Sequence, residues 1–350
     1  MIVLNQRLKY LKNEQIFKCL RKHNFMNSFR TALTSYTSNI SISLTDKILT
    51  LGSCFSDAIG GQLNASKISS AVNPYGVIYN PDSLHKVIRY TTLSQVPSKN
   101  TYVQREDVFL NYDFHSELSS LDKHNLQERL RIIIETTNSF LKKTQWLIIT
   151  YGTAWVYERN DTGEIVANCH KMPQGEFTKL LLTQKKILES FESMYEGLKS
   201  INPNINIILT VSPVRHLKDT LELNSVSKSI LRTACHTLTE QYKDVDYFPA
   251  YEIMMDDLRD YRFYKSDMIH PTEAAEEYIW QKFGEKYFDG KLKAFLIRWK
   301  EIKLALAHKP FHPSSKAHQQ FLLETLKKLE ELKSVVNVDQ EIEIIKSQIN

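Results

Sequence analysis

Short apolar runs alternate with amphipathic helical patterns along most of this sequence. Three of the runs, residues 48–51, 146–151 and 205–211, have the length of a buried strand and end at glycine or at serine-proline. Parallel strands need a long crossover connection, so a strand, crossover, strand rhythm repeated four or five times favours an α/β fold. We therefore predict one doubly wound domain over residues 26–288, with a parallel sheet of about five strands.

Two segments interrupt this rhythm with the patterns of β-hairpins. Residues 101–115 alternate around a polar centre, which predicts a hairpin inserted on the sheet edge, and residues 156–167 turn at Asp-Thr-Gly. A long helix is predicted from about residue 175 to residue 198, where Asn-Pro soon follows.

Beyond residue 288 the strand patterns stop. Two amphipathic helices joined by the turn at 308–313 predict a C-terminal helical extension over 289–350, packed on the main domain or on a partner subunit, which would make these helices an oligomer contact. Residues 1–25 have a basic amphipathic pattern and are expected to form an N-terminal extension, either a docking helix or a stretch upstream of a true start at Met26. The final dozen residues, 339–350, fit a frayed helix or disorder.

Composition argues against several functional classes. The chain has 350 residues, 42% of them hydrophobic, and a net charge of only +5 without a dense basic run, so nucleic-acid binding is not indicated. No apolar stretch approaches the roughly 20 residues that cross a membrane, and the N-terminus lacks a secretory apolar segment. We expect a cytoplasmic protein that does not associate with a membrane and that needs no metal ion or cofactor. Its cysteines contain no CxxC pair, and we expect free thiols at Cys19, Cys54, Cys169 and Cys235.

The turn after the first apolar run carries two potential nucleophiles. Gly52 separates that run from a helical pattern, which places Ser53 and Cys54 at the carboxyl edge of the sheet, where open α/β sheets bind their ligands. Free amide groups and the helix dipole at a helix N-terminus stabilise a thiolate or an oxyanion. The alternative is a turn whose small residues serve packing alone.

A second informative motif, Asp267-x-x-His270-Pro271, lies in a loop before another amphipathic helix. An imidazole can take a proton from a thiol or hydroxyl, and a carboxylate three residues earlier can orient the ring through its far nitrogen. A surface Asp and His in a capping loop is the alternative. The order nucleophile, acid, base on one sheet edge favours the catalytic interpretation.

Together these segments resemble successive signatures of the GSCFA-domain proteins, a largely bacterial family grouped with the SGNH (GDSL-type) hydrolases. The resemblance runs from about Met26, near which such proteins typically begin, to the C-terminal helices. The segments that carry it are GSCF at 52–55, NPYGVIYNP at 73–81, TYGTAWVYE at 150–158, NCHKMP at 168–173, VSPVRHLKD at 211–219 and LRDYRFYKSDMIHP at 258–271.

The resemblance implies a flavodoxin-like sheet and a triad in which Asp267 and His270 occupy the DxxH positions. It favours Cys54 as the nucleophile, with a thiol pKa lowered by the helix end and by His270; in the competing view Ser53 attacks and Cys54 packs inside. The implied activity is that of an esterase or acyltransferase acting on a small-molecule or carbohydrate ester through a covalent acyl-enzyme.

The resemblance also implies an oxyanion hole built from the nucleophile's amide, a glycine and an asparagine. Gly76 fits the glycine position, but Ala154 stands where an asparagine is expected. Loss of one such donor typically costs about 2.7–4 kcal/mol in the transition state. The side chains of Asn73, Asn168 and His170 are candidates to replace it, and His170 is also a candidate for substrate binding. Each of these residues is more often a turn or hairpin residue than a catalytic donor.

Two arginines complete the predicted site. Arg259 and Arg262 lie near the DxxH loop and are expected to hold an anionic acyl donor or sugar substituent through bidentate contacts, or to pair with the neighbouring aspartates. The missing asparagine motivates a rival hypothesis from another class, a non-catalytic SGNH fold that binds a glycan or a protein partner.

Overall fold

A computed structural model describes residues 31–33, 38 and 40–349. The predicted N-terminal extension, residues 1–25, lies outside the described residues. The strands are, in chain order, β1 (Ile48–Gly52), β2 (Ser70–Val72), β3 (Tyr102–Arg105), β4 (Val108–Asn111), β5 (Trp146–Tyr151), β6 (Trp155–Arg159), β7 (Ile165–Val166), β8 (Phe177–Leu181), β9 (Asn206–Val211) and β10 (Val245–Phe248).

Five of these strands form one parallel sheet in the order β2-β1-β5-β9-β10. Numbered by their own succession along the chain, the strands stand in the order 2-1-3-4-5, which is the flavodoxin-like arrangement. The predicted fold class is therefore confirmed. In such a sheet the functional crevice lies at the carboxyl ends of the strands, where the loops after β1, β5 and β9 are neighbours.

Helices cover both faces of the sheet. They are α1 (Cys54–Ala65), α2 (Pro81–Leu93), α3 (Lys123–Leu141), α4 (Gln184–Ile201), α5 (Thr220–Gln241), α6 (Glu273–Tyr287), α7 (Gly290–Leu306), α8 (Lys316–Leu332) and α9 (Asp339–Lys346).

The apolar runs of the sequence reflect this double coverage. In β1, Leu49 packs in one buried cluster with residues of α2 to α5, whereas Ile48 packs in a second cluster with α1, α6 and the C-terminal helices. In β5, Leu147 and Ile148 divide between the two clusters in the same way. Successive side chains of a strand point to opposite faces, so a strand buried on both faces needs a continuous apolar run.

The inserted hairpins are present, with one difference from the prediction. β3 and β4 form a two-stranded antiparallel sheet, and β6 pairs with both β7 and β8 in a three-stranded one. The predicted helix from residue 175 is wrong at its beginning, because Phe177–Leu181 forms β8 and α4 starts at Gln184 after the Thr183 cap. Pairing with β6 along all five residues of β8 outweighs the local helical pattern.

The C-terminal helices pack on the sheet domain. Trp299 of α7 donates its indole N–H to the carbonyl oxygen of Ala65 at the end of α1, over 2.7 Å. The segment predicted to be frayed or disordered forms α9, in which Ile342 and Ile345 are buried. Within the described part of the chain, no helix combines the length and apolarity needed to cross a bilayer.

Candidate active site

The turn between β1 and α1 requires a glycine. Gly52 has a φ of 141°, and a Cβ atom built on it would lie 2.2 Å from the carbonyl oxygen of Thr150 in β5. Only glycine permits this conformation and this close approach of two backbones. Ser53 then caps α1 by accepting a hydrogen bond from the backbone N–H of Phe55 at 3.4 Å, and Cys54 becomes the first helical residue.

The two candidate nucleophiles have different surroundings. Ser53 has an exposed fraction of 0%, and its hydroxyl oxygen is the acceptor of the helix cap. Cys54 is partly exposed and lines a pocket of about 260 Å³ together with Phe55, Val214 and His270. The structure thus brings Cys54 and His270 to one pocket, and Ser53 is not among the residues that line it.

His270 is oriented by Asp267. The Nδ1 atom of His270 lies 2.7 Å from Oδ2 of Asp267, and Oδ1 of Asp267 accepts the backbone N–H groups of Ile269 and His270 at 2.8 and 3.0 Å. These hydrogen bonds lower the pKa of Asp267 to about 2, and those from the backbone and the side chain of His270 have the strongest effect. An ionised Asp267 accepts a hydrogen bond from Nδ1–H of His270, which leaves Nε2 without a proton and able to act as a base.

The thiol of Cys54 differs from its prediction. Burial raises its pKa, and the carboxylates of Asp57 and Glu276 raise it further, whereas its own backbone N–H and the ammonium of Lys228 act in the opposite direction. The predicted lowering of this pKa is therefore wrong, because desolvation of the sulfur outweighs the helix end. In the described residues no hydrogen bond joins Sγ of Cys54 to His270. Cys54 is accordingly a neutral thiol at neutral pH that needs a base to react.

The predicted oxyanion residues near this turn are engaged in holding it together. The carboxamide of Asn73 accepts the backbone N–H of Gly52 at 2.9 Å and donates to Oδ1 of Asp57 at 2.6 Å. Gly76, with a φ of 71°, donates its N–H to the carbonyl oxygen of Asn73 at 2.8 Å. The backbone N–H of Cys54 donates to no other backbone group within the described ranges. The oxyanion roles of Asn73 and Gly76 stay predictions.

Ala154 contributes no donor to the pocket. Its side chain belongs to the buried core, with an exposed fraction of 0%, and its backbone N–H donates to the hydroxyl of Ser227 at 2.8 Å. The position expected to hold an asparagine therefore serves packing between β5 and α5.

Comparison with known families agrees with this architecture. Residues 47–283, more than half of the chain, match the family model described as GSCFA family. The chain is a member of the GSCFA family. Residues 299–350 match a second model, described as GSCFA domain protein, C-terminal domain. No protein of curated function matches the sequence of this GSCFA protein.

Several solved structures are similar to it. A carbohydrate esterase family 3 structure from Talaromyces cellulolyticus has 10% identity and a TM-score of 0.35 and covers 72% of this chain and 99% of its own. A putative platelet activating factor structure from Streptococcus pneumonia has 11% identity, a TM-score of 0.36 and coverages of 81% and 98%. A family 3 carbohydrate esterase from Clostridium thermocellum has 13% identity, a TM-score of 0.30 and coverages of 72% and 99%. These descriptions belong to those proteins.

Asn168 and His170 lie in a separate cluster of this GSCFA protein. His170 is 3% exposed, and its Nε2 atom lies 2.8 Å from the carbonyl oxygen of Asn111, so Nε2 carries the proton. Its Nδ1 atom then accepts the hydroxyl of Ser116 at 2.9 Å, and Asn168 donates to the same hydroxyl oxygen at 3.3 Å. Burial lowers the pKa of His170. Neither residue lines the pocket of Cys54, and their site roles stay predictions.

The two predicted arginines also lie outside that pocket. Arg259 lines a neighbouring depression of about 350 Å³ with Arg215 and Tyr261. Arg262 is exposed and lies 3.7 Å from a carboxylate oxygen of Asp260. The predicted alternative of an Arg-Asp pair is thus present for Arg262, and a substrate contact for either arginine stays a prediction.

Sequence reasoning missed two groups near Gly152, at the carboxyl edge of the sheet. Lys228 of α5 is 1% exposed and donates from Nζ to the carbonyl oxygens of Gly152 and Ser212, at 2.8 and 2.7 Å. Burial lowers its pKa to about 7. His216 lies after β9, and burial together with the charges of Lys228 and His270 lowers its pKa to about 3. His216 falls within the VSPVRHLKD motif, which was the only sequence signal for it; Lys228 gave none.

Proposed function

We propose that this GSCFA protein is an SGNH-type hydrolase or acyltransferase that acts on a carboxylic ester through an acyl-enzyme on Cys54. The observation that supports this most directly is one pocket bordered by Cys54 at a helix N-terminus and by His270, with Asp267 bonded to the far nitrogen of that imidazole. A nucleophile, a base and an orienting carboxylate in this relation are the elements of covalent acyl transfer.

The chemistry follows from these three groups. Nε2 of His270 takes the proton of the Cys54 thiol as Sγ attacks the ester carbonyl, and the negative charge moves to the carbonyl oxygen. The tetrahedral intermediate collapses to a thioester when the alcohol oxygen leaves with the proton from His270. A water molecule or an acceptor hydroxyl then attacks the thioester by the same route in reverse, which frees the acid or a new ester and restores the thiol.

The raised pKa of Cys54 determines at which stage of the reaction the thiol loses its proton. A thiol that is neutral before attack must lose its proton during attack, so His270 acts as a general base rather than as the cation of a preformed ion pair. Ser53 is the alternative nucleophile, and it would need to leave its capping bond to Phe55 to reach the pocket.

The pocket itself suggests the substrate class. Phe55, Ala58, Val214 and Pro271 provide apolar wall, which suits the hydrocarbon part of an acyl group. The volume of about 260 Å³ suits a small acyl group such as acetyl. An acylated carbohydrate is the proposed substrate, with its sugar outside this pocket.

The test combines turnover with thiol labelling. Wild type, Cys54→Ala, Ser53→Ala and His270→Ala are incubated with p-nitrophenyl acetate and, separately, with iodoacetamide followed by peptide mass spectrometry. We expect acetylation and alkylation at Cys54, loss of turnover in Cys54→Ala and His270→Ala, and retained turnover in Ser53→Ala. Cys169→Ala, which changes another partly exposed thiol, is the matched control.

A second candidate is a non-catalytic glycan-binding or protein-binding module. The observation that favours it is the buried Ala154, which removes one expected oxyanion donor. Absence of acetylation at Cys54 in the wild type, together with binding of an acylated oligosaccharide that His270→Ala leaves unchanged, would replace the enzyme proposal by this one.

A further inference from the structure

Three loops meet at the carboxyl edge of the central sheet. The strand pairings set Gly52 opposite Thr150 and Tyr151 opposite Val211, so the residues that follow β1, β5 and β9 are neighbours. The loop after β9 therefore lies beside the position that Ala154 leaves without a donor. That loop contains His216.

The imidazole of His216 lies over the end of β5. A Cβ atom built on Gly152 would be 3.3 Å from Nε2 of His216 and 3.1 Å from the ring of Tyr79, so a glycine keeps this space open. The Tyr79 and His216 rings meet edge to face, with centroids 5.4 Å apart. The backbone N–H of His216 donates to Oδ1 of Asn224 at 3.0 Å. The ring thus packs against Tyr79, and Asn224 fixes the backbone that carries it.

The Nε2 atom of His216 is buried and has no hydrogen-bond partner among the described residues. Buried polar atoms of native proteins are nearly always paired, and each exception asks for an explanation. Packing does not supply one here, since a phenylalanine would fill a similar space against Tyr79 without burying a polar nitrogen. A ligand that brings a hydrogen-bonding atom to Nε2 would explain why this nitrogen is buried without a partner in the protein.

His216 does not itself line the pocket of Cys54, but its loop connects to both sides of that pocket. Val214, two residues earlier, lines the pocket of Cys54 and His270, and the backbone N–H of Arg215 donates to the carbonyl oxygen of Ile269 in the DxxH loop at 3.3 Å. The backbone N–H of Ile78, the residue before Tyr79, donates to the carbonyl oxygen of Gly52 at 3.0 Å. His216 is therefore flanked by the nucleophile's turn on one side and the base's loop on the other.

The charge state of His216 suits a donor. Burial is the main cause that lowers the pKa of His216 to about 3, with smaller contributions from Lys228 and His270 when they are protonated, so the imidazole is neutral at neutral pH. A neutral imidazole can donate one N–H to a developing oxyanion without competing with His270 as a base.

We propose that Nε2–H of His216 donates to the carbonyl oxygen of the substrate as that oxygen becomes negative, in place of the asparagine amide that Ala154 lacks. This inference rests on the proposed acyl-enzyme chemistry of Cys54. It makes His216 a catalytic residue, since the imidazole touches the reacting oxygen, and it gives the loop after β9 a part in the reaction.

The test separates stabilisation of the oxyanion from activation of the thiol. Acetylation of Cys54 by p-nitrophenyl acetate forms an oxyanion, whereas alkylation by iodoacetamide does not. We expect His216→Ala to slow acetylation roughly 10²- to 10³-fold with KM nearly unchanged, and to alter the alkylation rate less than twofold. His216→Gln, which retains an amide donor, is expected to recover most of the acetylation rate. His236→Ala, at an exposed position of α5, is the matched control.

Each result is decisive. Wild-type acetylation with an undiminished rate in His216→Ala would overturn the donor role alone. Acetylation and alkylation falling together in both variants would assign His216 to the thiol or to folding, and would also overturn it. Absence of acetylation at Cys54 in the wild type would overturn the proposed function and the donor role with it. His216→Gln keeps the question open to test if His216→Ala does not fold.

Discussion

The ammonium of Lys228 lies 2.8 Å from the carbonyl oxygen of Gly152. Gly152 directly follows β5, the strand that pairs with β1 ahead of Cys54. A second carbonyl, that of Ser212, accepts from the same ammonium at 2.7 Å, and no carboxylate pairs with it in the described ranges. A buried cation without an anionic partner disfavours folding. Its position makes it a source of positive potential for an anion at the carboxyl edge of the sheet.

The pKa of Lys228 predicts a stability that depends on pH. The folded-state pKa of about 7 lies below the ordinary lysine value of about 10.4, so between these values the unfolded chain binds more protons. The contribution of Lys228 to the free energy of unfolding therefore rises with pH above 7, by up to about 1.4 kcal/mol per pH unit. Lys228→Met should lack this rise, which urea denaturation at pH 7, 8 and 9 measures.

Lys185→Met is the control for that series, because its ammonium is exposed on α4. Its unfolding free energies should follow those of the wild type at each pH. Parallel curves for wild type and Lys228→Met would contradict the assignment of a lowered pKa to Lys228.

Asp57 is expected to suppress the reactivity of Cys54. Its carboxylate raises the pKa of the thiol, second only to burial. Asp57→Asn removes the charge and can still accept the hydrogen bond from Asn73. We expect alkylation of Cys54 by iodoacetamide at pH 8 to accelerate, since loss of the carboxylate charge lowers the pKa of the thiol and raises its thiolate fraction.

Alkylation rates at several pH values check this. Asp107→Asn, at an exposed hairpin turn, should leave the rate unchanged. A rate that is equal to or lower than that of the wild type in Asp57→Asn would show that the carboxylate does not act on the thiol.

Asp267→Asn is expected to reduce turnover of p-nitrophenyl acetate on the order of 10³-fold. Oδ1 of Asp267 accepts two backbone N–H groups, so the amide nitrogen of an asparagine must take the Oδ2 position and face Nδ1 of His270. Nδ1 would then accept the hydrogen bond, and Nε2 would carry the proton. A protonated Nε2 cannot take the proton of the Cys54 thiol.

Nitrogen NMR of the imidazole reports this tautomer directly and accompanies the kinetics. Asp256→Asn, at an exposed position nearby, should retain wild-type turnover. Full activity in Asp267→Asn would remove Asp267 from the mechanism.

Gly52 and Gly61 form a matched pair for the geometry of the nucleophile's turn. Gly52→Ala places a methyl group 2.2 Å from the carbonyl oxygen of Thr150 at a positive φ, and is expected to destabilise the protein by at least about 3 kcal/mol. A Cβ on Gly61, in the interior of α1, meets nothing within 4 Å, so Gly61→Ala should stabilise by up to about 1 kcal/mol. Urea denaturation of both variants measures the difference. Equal stabilities would contradict the close approach of β1 and β5.

The fold was predictable because its signals are local. The strands β1, β5 and β9 are buried on both faces, which forces continuous apolar runs such as Ile48 to Leu51, and glycine or serine-proline ends them. β8 was not predictable, since Phe177 to Leu181 become a strand only through pairing with β6, some twenty residues earlier.

The candidate site divides in the same way. Cys54, Asp267 and His270 stand out because their residue types occur at turns with the right spacing. Lys228 is one lysine among many in a helical pattern, and its burial depends on carbonyl groups that lie far away in the sequence. The direction of the Cys54 pKa shift depends on how deeply the sulfur is buried, which spacing does not encode.

The indole of Trp299 is hydrogen-bonded to Ala65, the last residue of α1, so the C-terminal region helps to position the helix that begins at Cys54. Leu322 and Leu329 share one apolar cluster with Phe55 and Ile59 on the inner face of α1. Removal of the segment after residue 288 would strip apolar cover from the helix whose first residue is the thiol. Engineering that shortens, swaps or tags this end should therefore be expected to alter reactivity at Cys54 from a distance.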